Sequence, residues 1–367
     1  MRPEDIQFGL DSFGEVSADG SGRRLSDAET VRLMVDEAVL AESVGIDSYN
    51  IGEHYRPDHV DSAGHVILAA IASPTERIRL GTAVTVLSTQ DPVRLYTEFA
   101  TLDALSNGRA QLVVGRASST ESFPLFGFDL SEYEALFEEK LDLLTRLLRD
   151  RRVTWSGTVR TPIIDQHLRP EIEEPGRIPT WVGVGGSPQS VTRAARYGLP
   201  LMLAIVGGRP SRFAPYVELY KRSLQEQGHP ALPVGQHSLG FIARTDEEAR
   251  AAYWPQWNAV MEIASKERGF SPPSEQKFEI AISDGALFVG SPETVAAKLA
   301  ANIRVLDLGR FDLKYDIGAL SCEHRSASIE LYGREVIPRV RELLRASPAR
   351  PIASSSAPAA PRTAPHA

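Results

Sequence analysis

The sequence predicts an α/β chain, specifically a (β/α)8 TIM barrel with insertions and a disordered C-terminal tail. Short apolar runs alternate with longer amphipathic segments, the pattern of a parallel sheet crossed by helices. Eight strand candidates can be counted, each followed by helix, which is the count of that barrel. Small and polar residues recur at one end of successive strands, as expected where βα loops gather on one face. A doubly wound open sheet is the runner-up. No repeat at about 20–50 residues marks a solenoid.

The first strand is "IQFGLD". Its helix opens at Ser26, with Glu29 three residues on in a capping box, and closes at Gly45. "IDSYNIGEHY" follows, with a helix from about His65 to Ser73. The third unit is "RIRLGTAVTVLS" with "PVRLYTEFATLDALSNG", where Pro92 suits the first helical turn and Asn107-Gly108 the end. "AQLVVGRAS" is the fourth strand, and its helix "SEYEALFEEKLDLLTRLLRD" carries Leu136, Phe137, Leu141, Leu144 and Leu148 on one stripe. After an irregular stretch at about 150–178 come "TWVGVGG" with "SPQSVTRAARYG", and "PLMLAIVGG" with "RFAPYVELYKRSLQEQG". "QHSLGFIART" starts the seventh strand, a long, mostly helical region runs to about Arg304, and "RFDLKYDIG" and "SIELYGREVIPRVRELLR" supply the eighth strand and the last helix.

Residues 1–346 thus form one domain. From Ser347 the chain is Pro, Ala and Ser without apolar periodicity, too poor in buried surface to offset its ordering entropy, so 347–367 is expected to be a disordered tail. A formal charge of −8 and the lack of basic blocks argue against nucleic acid or an anionic membrane surface as partner and leave small molecules. The single cysteine, Cys322, rules out an internal disulfide framework and a Cys-based zinc site. No run approaches the roughly 18 apolar residues of a membrane span, and the N-terminus carries acids where a signal peptide has an apolar core, so a cytoplasmic location is expected.

The strand ends locate the chemistry. After the second strand stands Glu53-His54-Tyr55, after the third Thr82-Ala83-Val84, after the fourth Gly115-Arg116-Ala117-Ser118, and after the fifth Gly185-Gly186-Ser187-Pro188. In "VGVGGSPQSV" a strand runs through two glycines into a helix, so backbone N–H groups and the positive dipole end meet open space, an anion pocket. Ser187 and Ser190 add hydroxyls, and Arg116 adds a charge suited to phosphate. The plainer alternative is a tight βα turn with Ser187 as N-cap and Arg116 as a surface ion-pair residue. His65, His167, His237 and His324 lack metal-ligand spacing and read as ordinary polar residues, so no metal is expected. Glu53 is expected to fix His54 or to pair within the barrel, and Glu121 to cap the start of "SFPLFG". Trp254 and Trp257 either cover the substrate or pack within a helix.

The segments "RIRLGTAVTVLSTQDPVRLYTEFATLDALSNGRAQLVVGR", "IGEHY", "SFPLFGFD" and "VGVGGSPQSVTRAA" together resemble the bacterial luciferase-like flavin-dependent monooxygenases, in order from about residue 6 to 345. The resemblance implies a (β/α)8 barrel that binds FMN, used as FMNH2, at the C-terminal strand face, commonly as a homodimer. It implies that reduced flavin and O2 give a C4a-hydroperoxide that oxygenates a small organic substrate. It puts His54 beside the flavin ring as proton-handling residue, Arg116 on the flavin phosphate, and Gly185, Gly186, Ser187 and Ser190 on the phosphate loop. It puts Thr82, Ala83 and Val84 where the family carries a non-prolyl cis peptide under the isoalloxazine. Luciferases have a reactive cysteine where Gly115 stands here, and many relatives a second histidine where Tyr55 stands, so light emission is not implied.

Three functions are compatible with these residues. The first is an FMNH2-dependent monooxygenase fed by a separate flavin reductase, since no GxGxxG fingerprint follows a strand. The second is an F420-dependent oxidoreductase working by hydride transfer, and the third is a non-catalytic flavin-binding relative. Retention of His54 and Arg116 speaks against the third.

Overall fold

The computed structural model describes residues 2–116, 120–269 and 271–346. The tail expected from 347 onward lies outside them, as do Ala117 and Ser118 of the fourth strand end. In chain order the elements are β1 (Gln7–Ser12), α1 (Asp27–Ser43), β2 (Ser48–Ile51), α2 (Gly64–Ala72), β3 (Arg79–Thr82), β4 (Thr85–Val86), α3 (Pro92–Leu105), β5 (Leu112–Gly115), α4 (Ser122–Leu125) and α5 (Tyr133–Arg149). A hairpin, β6 (Val153–Trp155) and β7 (Ile163–Gln166), precedes β8 (Thr180–Val184), α6 (Pro188–Arg196), β9 (Leu201–Ala204) and α7 (Ala214–Glu226). Then follow β10 (Val234–Ile242), α8 (Asp246–Arg268), α9 (Glu275–Ser283), β11 (Phe288–Gly290), α10 (Pro292–Leu306), β12 (Leu308–Lys314), α11 (Cys322–Leu331) and α12 (Ile337–Ala346).

The main sheet runs β3-β2-β1-β12-β10-β9-β8-β5-β4, every pair parallel, with β11 added beside β10. The ring closes between β3 and the approach to β5. Leu80 N–H donates to Arg109 O at 3.0 Å and Gln111 N–H to Leu80 O at 2.9 Å. The Thr82 hydroxyl adds two bonds to Val113, accepting from its N–H at 3.1 Å and donating to its carbonyl at 2.9 Å. The predicted third strand is therefore two pieces, β3 and β4, separated by the cis peptide Ala83–Val84, and counting them as one barrel position gives the expected eight.

Local signals act as the sequence predicts. The Ser26/Glu29 capping box starts α1, and Gly45 follows that helix with φ 81°. Asp91 caps α3 with Pro92 at its first position, and Asn107 and Gly108 turn the chain out with positive φ. The predicted last helix is interrupted. Residues Tyr332–Val336 form a π-turn between α11 and α12, where Pro338 supplies no N–H to the preceding turn. The stretch at 150–178 is not wholly irregular, because β6 and β7 pair antiparallel outside the barrel. No helix among the described residues is long and apolar enough to cross a membrane.

The helices bury their apolar faces in one core with the outer faces of the strands. The barrel interior, however, is not purely apolar. Asn50, Gln111, Arg310 and Asp312 are all but fully buried there, joined by Gln111 Nε2 to Asn50 Oδ1 at 2.7 Å and Arg310 to Asp312 at 2.7 Å. Burial of such groups is tolerable only when they are paired. α8 and α9 enclose a smaller apolar cluster beside β10, β11 and the segment after β12, in which Trp254 and Trp257 pack against Phe278 at 5.2 and 5.3 Å.

Candidate functional site

A cavity of about 350 Å³ opens at the C-terminal ends of the barrel strands. Its wall draws on the residues after β1 (Phe13), β2 (Glu53, His54, Tyr55), β3 (Ala83, Val84), β5 (Arg116), β8 (Gly185) and β9 (Val206). Parallel strands with right-handed crossovers bring all those ends to one face, so residues far apart in sequence meet.

β2 ends at Ile51, so His54 sits on the loop beyond it. Asp61 holds the imidazole. One carboxylate oxygen lies 2.7 Å from Nδ1 and the other accepts the His54 backbone N–H at 3.1 Å. Asp61 is fully buried, and that burial pushes its carboxyl above the usual range while His54 pulls it back. With Nδ1 engaged, Nε2 is the nitrogen left for the cavity. The ring also lies 4.7 Å from Phe13 and 4.8 Å from His59, centroid to centroid.

Of the two roles expected for Glu53, fixing His54 or pairing within the barrel, the structure shows neither a hydrogen bond to His54 nor an ion pair among the described residues. Its carboxylate accepts from Val86 N–H, Gln90 Nε2 and the Tyr55 hydroxyl, each at 2.8 Å, and so holds the chain where it resumes at β4. Burial raises its carboxyl, chiefly by loss of hydration. Glu121 makes no capping bond to α4 and is tied instead to Arg56 at 3.1 Å, which also reaches Glu267 of α8 at 3.0 Å.

Ala83 and Val84 line the cavity, whereas Thr82 is buried with its hydroxyl committed to Val113. Two glycines make room for Val84. A Cβ at Gly115 would come within 2.7 Å of Val84 Cγ2, and one at Gly183 within 2.9 Å of Cγ1. The cysteine found at the Gly115 position in luciferases would therefore not fit beside this valine.

Arg116 lines the cavity and donates to Ser190 Oγ at 2.8 Å. It stacks over Tyr133 at 4.8 Å and pairs with Glu134. Ser187 is the N-cap of α6, accepting from Ser190 N–H at 3.4 Å and donating to Gln189 at 2.8 Å. Gly186, with φ 115°, turns the strand into the helix, and a Cβ on Gly185 would meet nothing within 4 Å. Arg116, Ser190 and the open backbone at Gly185 thus fit the phosphate of a flavin-type cofactor. Of the residues singled out from the sequence, His54, Ala83, Val84, Arg116 and Gly185 share the cavity, and Ser190 reaches it through Arg116. Thr82, Gly186 and Ser187 do not line it.

Comparison with known proteins settles the family. The model for luciferase-like monooxygenase matches residues 7–307. The chain belongs to that family. Among curated relatives it is 25% identical over 344 residues to protein y4vJ of Sinorhizobium fredii, covering 88% of this chain and 95% of that one. It is 26% identical over 243 residues to the alkanal monooxygenase alpha chain of Photorhabdus luminescens, covering 62% of each. The monooxygenase RslO1 from Streptomyces bottropensis shares its fold with a TM-score of 0.80 at 22% identity, over 91% of this chain and 99% of that one. The oxygenating constituent of 3,6-diketocamphane monooxygenase from Pseudomonas putida, in complex with FMN, follows at 0.72 and 21%, with the same coverage. An F420-dependent secondary alcohol dehydrogenase gives 0.70 and 18%, over 93% and 99%.

The sequence reading missed Asp61, Phe13 and His237 as parts of this site. Asp61 carries a weak signal, being seven residues from His54 in the same loop. His237, expected to be an ordinary polar residue, lines the cavity from β10, with Nδ1 bonded to Asp11 of β1. Nothing in the sequence links residues 11 and 237 until the barrel closes.

Proposed function

We propose that this luciferase-like monooxygenase takes FMN in its reduced form from a separate flavin reductase and uses it with O2 to oxygenate a small organic substrate, working as a homodimer in the cytoplasm. The observation that carries the reading is a phosphate-suited cluster, Arg116 with Ser190 and the open backbone at Gly185, in one cavity with a carboxylate-held imidazole, His54.

Bound reduced flavin would supply the activation of O2. The chain does the rest. Arg116, Ser190 and the Gly185-Gly186 turn anchor the phosphate, with Ser187 holding the helix start that carries Ser190. Thr82 fixes the strand from which Ala83 and Val84 present an apolar seat for a flat ring. His54, oriented by Asp61, holds or delivers a proton at Nε2. The apolar wall excludes water from the reacting atoms. The alternative is hydride exchange with F420, supported by the fold shared with F420-dependent enzymes. That cofactor would use the same phosphate cluster.

Titrating the protein with FMN, riboflavin and F420 tests this. A charge-assisted hydrogen bond is worth about 1.5–3 kcal/mol, so Arg116→Met is expected to weaken FMN binding by roughly ten- to a hundredfold and to leave riboflavin unchanged. Equal losses for both flavins, or binding of F420 alone, would reject the FMN reading.

A further inference from the structure

The seam between α5 and α6 carries an alternating row of charges that begins in the cavity. It runs Arg116, Glu134, Arg193, Glu138 and Arg196, each joined to the next by an ion pair. The helices set the spacing. Glu134 and Glu138 lie one turn apart on α5, and Arg193 lies about one turn beyond Ser190 on α6, so all four side chains meet along the same seam. Arg116 belongs to two groupings at once. Its guanidinium donates to Ser190 Oγ at 2.8 Å and lies over the Tyr133 ring in the cavity wall, and it also pairs with the Glu134 carboxylate. A phosphate seated on Arg116 therefore meets a second anion on the same guanidinium.

Arg193 offers that anion another place. Its side chain is only 10% exposed, with Nε on Glu138 at 2.7 Å and Nη2 on Glu134 at 2.6 Å. Nη1 is sealed from solvent and has no hydrogen-bond partner among the described residues. A buried guanidinium N–H left unpaired is unfavourable. Glu134 already holds one nitrogen of this guanidinium, a group whose paired donors suit both oxygens of a carboxylate, and at 58% exposed it has room to turn. Turning its second oxygen from Arg116 to Nη1 fills the unpaired position and frees Arg116, with every charge in the row still matched.

We propose that Glu134 is a positioning residue of the cofactor site, competing with a phosphate for Arg116 and passing to Nη1 of Arg193 when the phosphate binds. Its effect is to hold phosphate affinity down. The proposal rests on the reductase-fed reading for its purpose, since a flavin that arrives from another protein has to leave again after each turnover. For binding it needs only a phosphate group.

The test titrates the full chain with FMN, riboflavin and inorganic phosphate, the flavins by fluorescence and the phosphate by 31P NMR. Glu134→Gln removes the competing charge and keeps an oxygen for Arg193. It is expected to bind FMN and phosphate roughly tenfold tighter, the worth of one charge-assisted hydrogen bond, and to release FMN correspondingly more slowly, with riboflavin unchanged. A residue that only braced the fold would lose affinity on substitution, so the sign of the change decides. Arg193→Met removes the receiving nitrogen. It should weaken FMN about tenfold in the wild-type chain and less than about twofold beside Glu134→Gln, a coupling that a double-mutant cycle measures. Riboflavin binding in each variant guards against a fold defect. FMN and phosphate affinities that Glu134→Gln leaves unchanged or lowers, or additive effects of the two substitutions, would overturn the proposal. Equal binding of FMN and riboflavin by the wild-type chain would instead fail the cofactor reading, and the inorganic phosphate titration would then decide the proposal alone.

Discussion

His54 and Asp61 carry the proton chemistry in this account, and their geometry makes the roles separable. Asp61 accepts from both the ring and the backbone of His54, so it fixes the tautomer as well as the position. General acid–base groups contribute about 10²–10⁴-fold. His54→Gln is therefore expected to cost about a hundredfold or more in coupled substrate oxygenation while FMN affinity stays within a few-fold. Product formation and flavin binding, measured side by side, check this, and full coupled turnover in the variant would remove His54 from the mechanism. His54 was legible in the sequence because it follows a strand end. Asp61 was not, because a carboxylate seven residues later in a loop can point anywhere until the loop folds.

At the scale of the element, the seat built from β3, β4, β5 and β8 depends on two missing side chains. Gly115→Ala places a methyl 2.7 Å from Val84 Cγ2 and 3.2 Å from its Cβ. Overpacking of this kind costs about 1–3 kcal/mol. The variant is expected to fold with a lowered melting temperature and to bind FMN about tenfold more weakly, read by thermal denaturation and flavin titration. A second element-level device lies at the end of α9, where Lys298 donates to the carbonyls of Ala281 at 3.3 Å and Leu287 at 2.8 Å and also contacts that of Ile282. Burial lowers its amine from 10.5 to about 8. The unfolded chain then binds the extra proton between those values, so this group makes stability rise as pH increases from about 8 toward 10.5. Below that window the lysine is charged in both states and its effect is constant. Lys298→Met should flatten the rise, in denaturation midpoints taken at either end of the window, and lower stability throughout. The strands and helices themselves were readable from period, caps and turn residues. The break between β3 and β4 was not readable from the pattern, because "RLGTAVTV" is continuous as a strand signal and only the resemblance pointed to a special backbone there.

The whole molecule explains why the site was only half visible. Residues before and at strand ends advertise themselves through local pattern, and so the barrel, its eight positions and the Arg116/Gly185 cluster could be placed in advance. His237, Asp11 and Asp312 sit within strands and look like ordinary polar positions of alternating segments. Only closure of the ring brings β1, β10 and β12 side by side and turns three unrelated residues into a cavity floor. The central claim, that this cavity holds reduced FMN and controls its reaction with oxygen, is tested most directly by one measurement. Anaerobic protein mixed with photoreduced FMN is exposed to oxygen, and flavin absorbance is followed by stopped flow beside free flavin. Reoxidation is expected to be slower than that of free flavin and to pass through a transient species, shortened by His54→Gln. Single-step reoxidation at the rate of free flavin would contradict it.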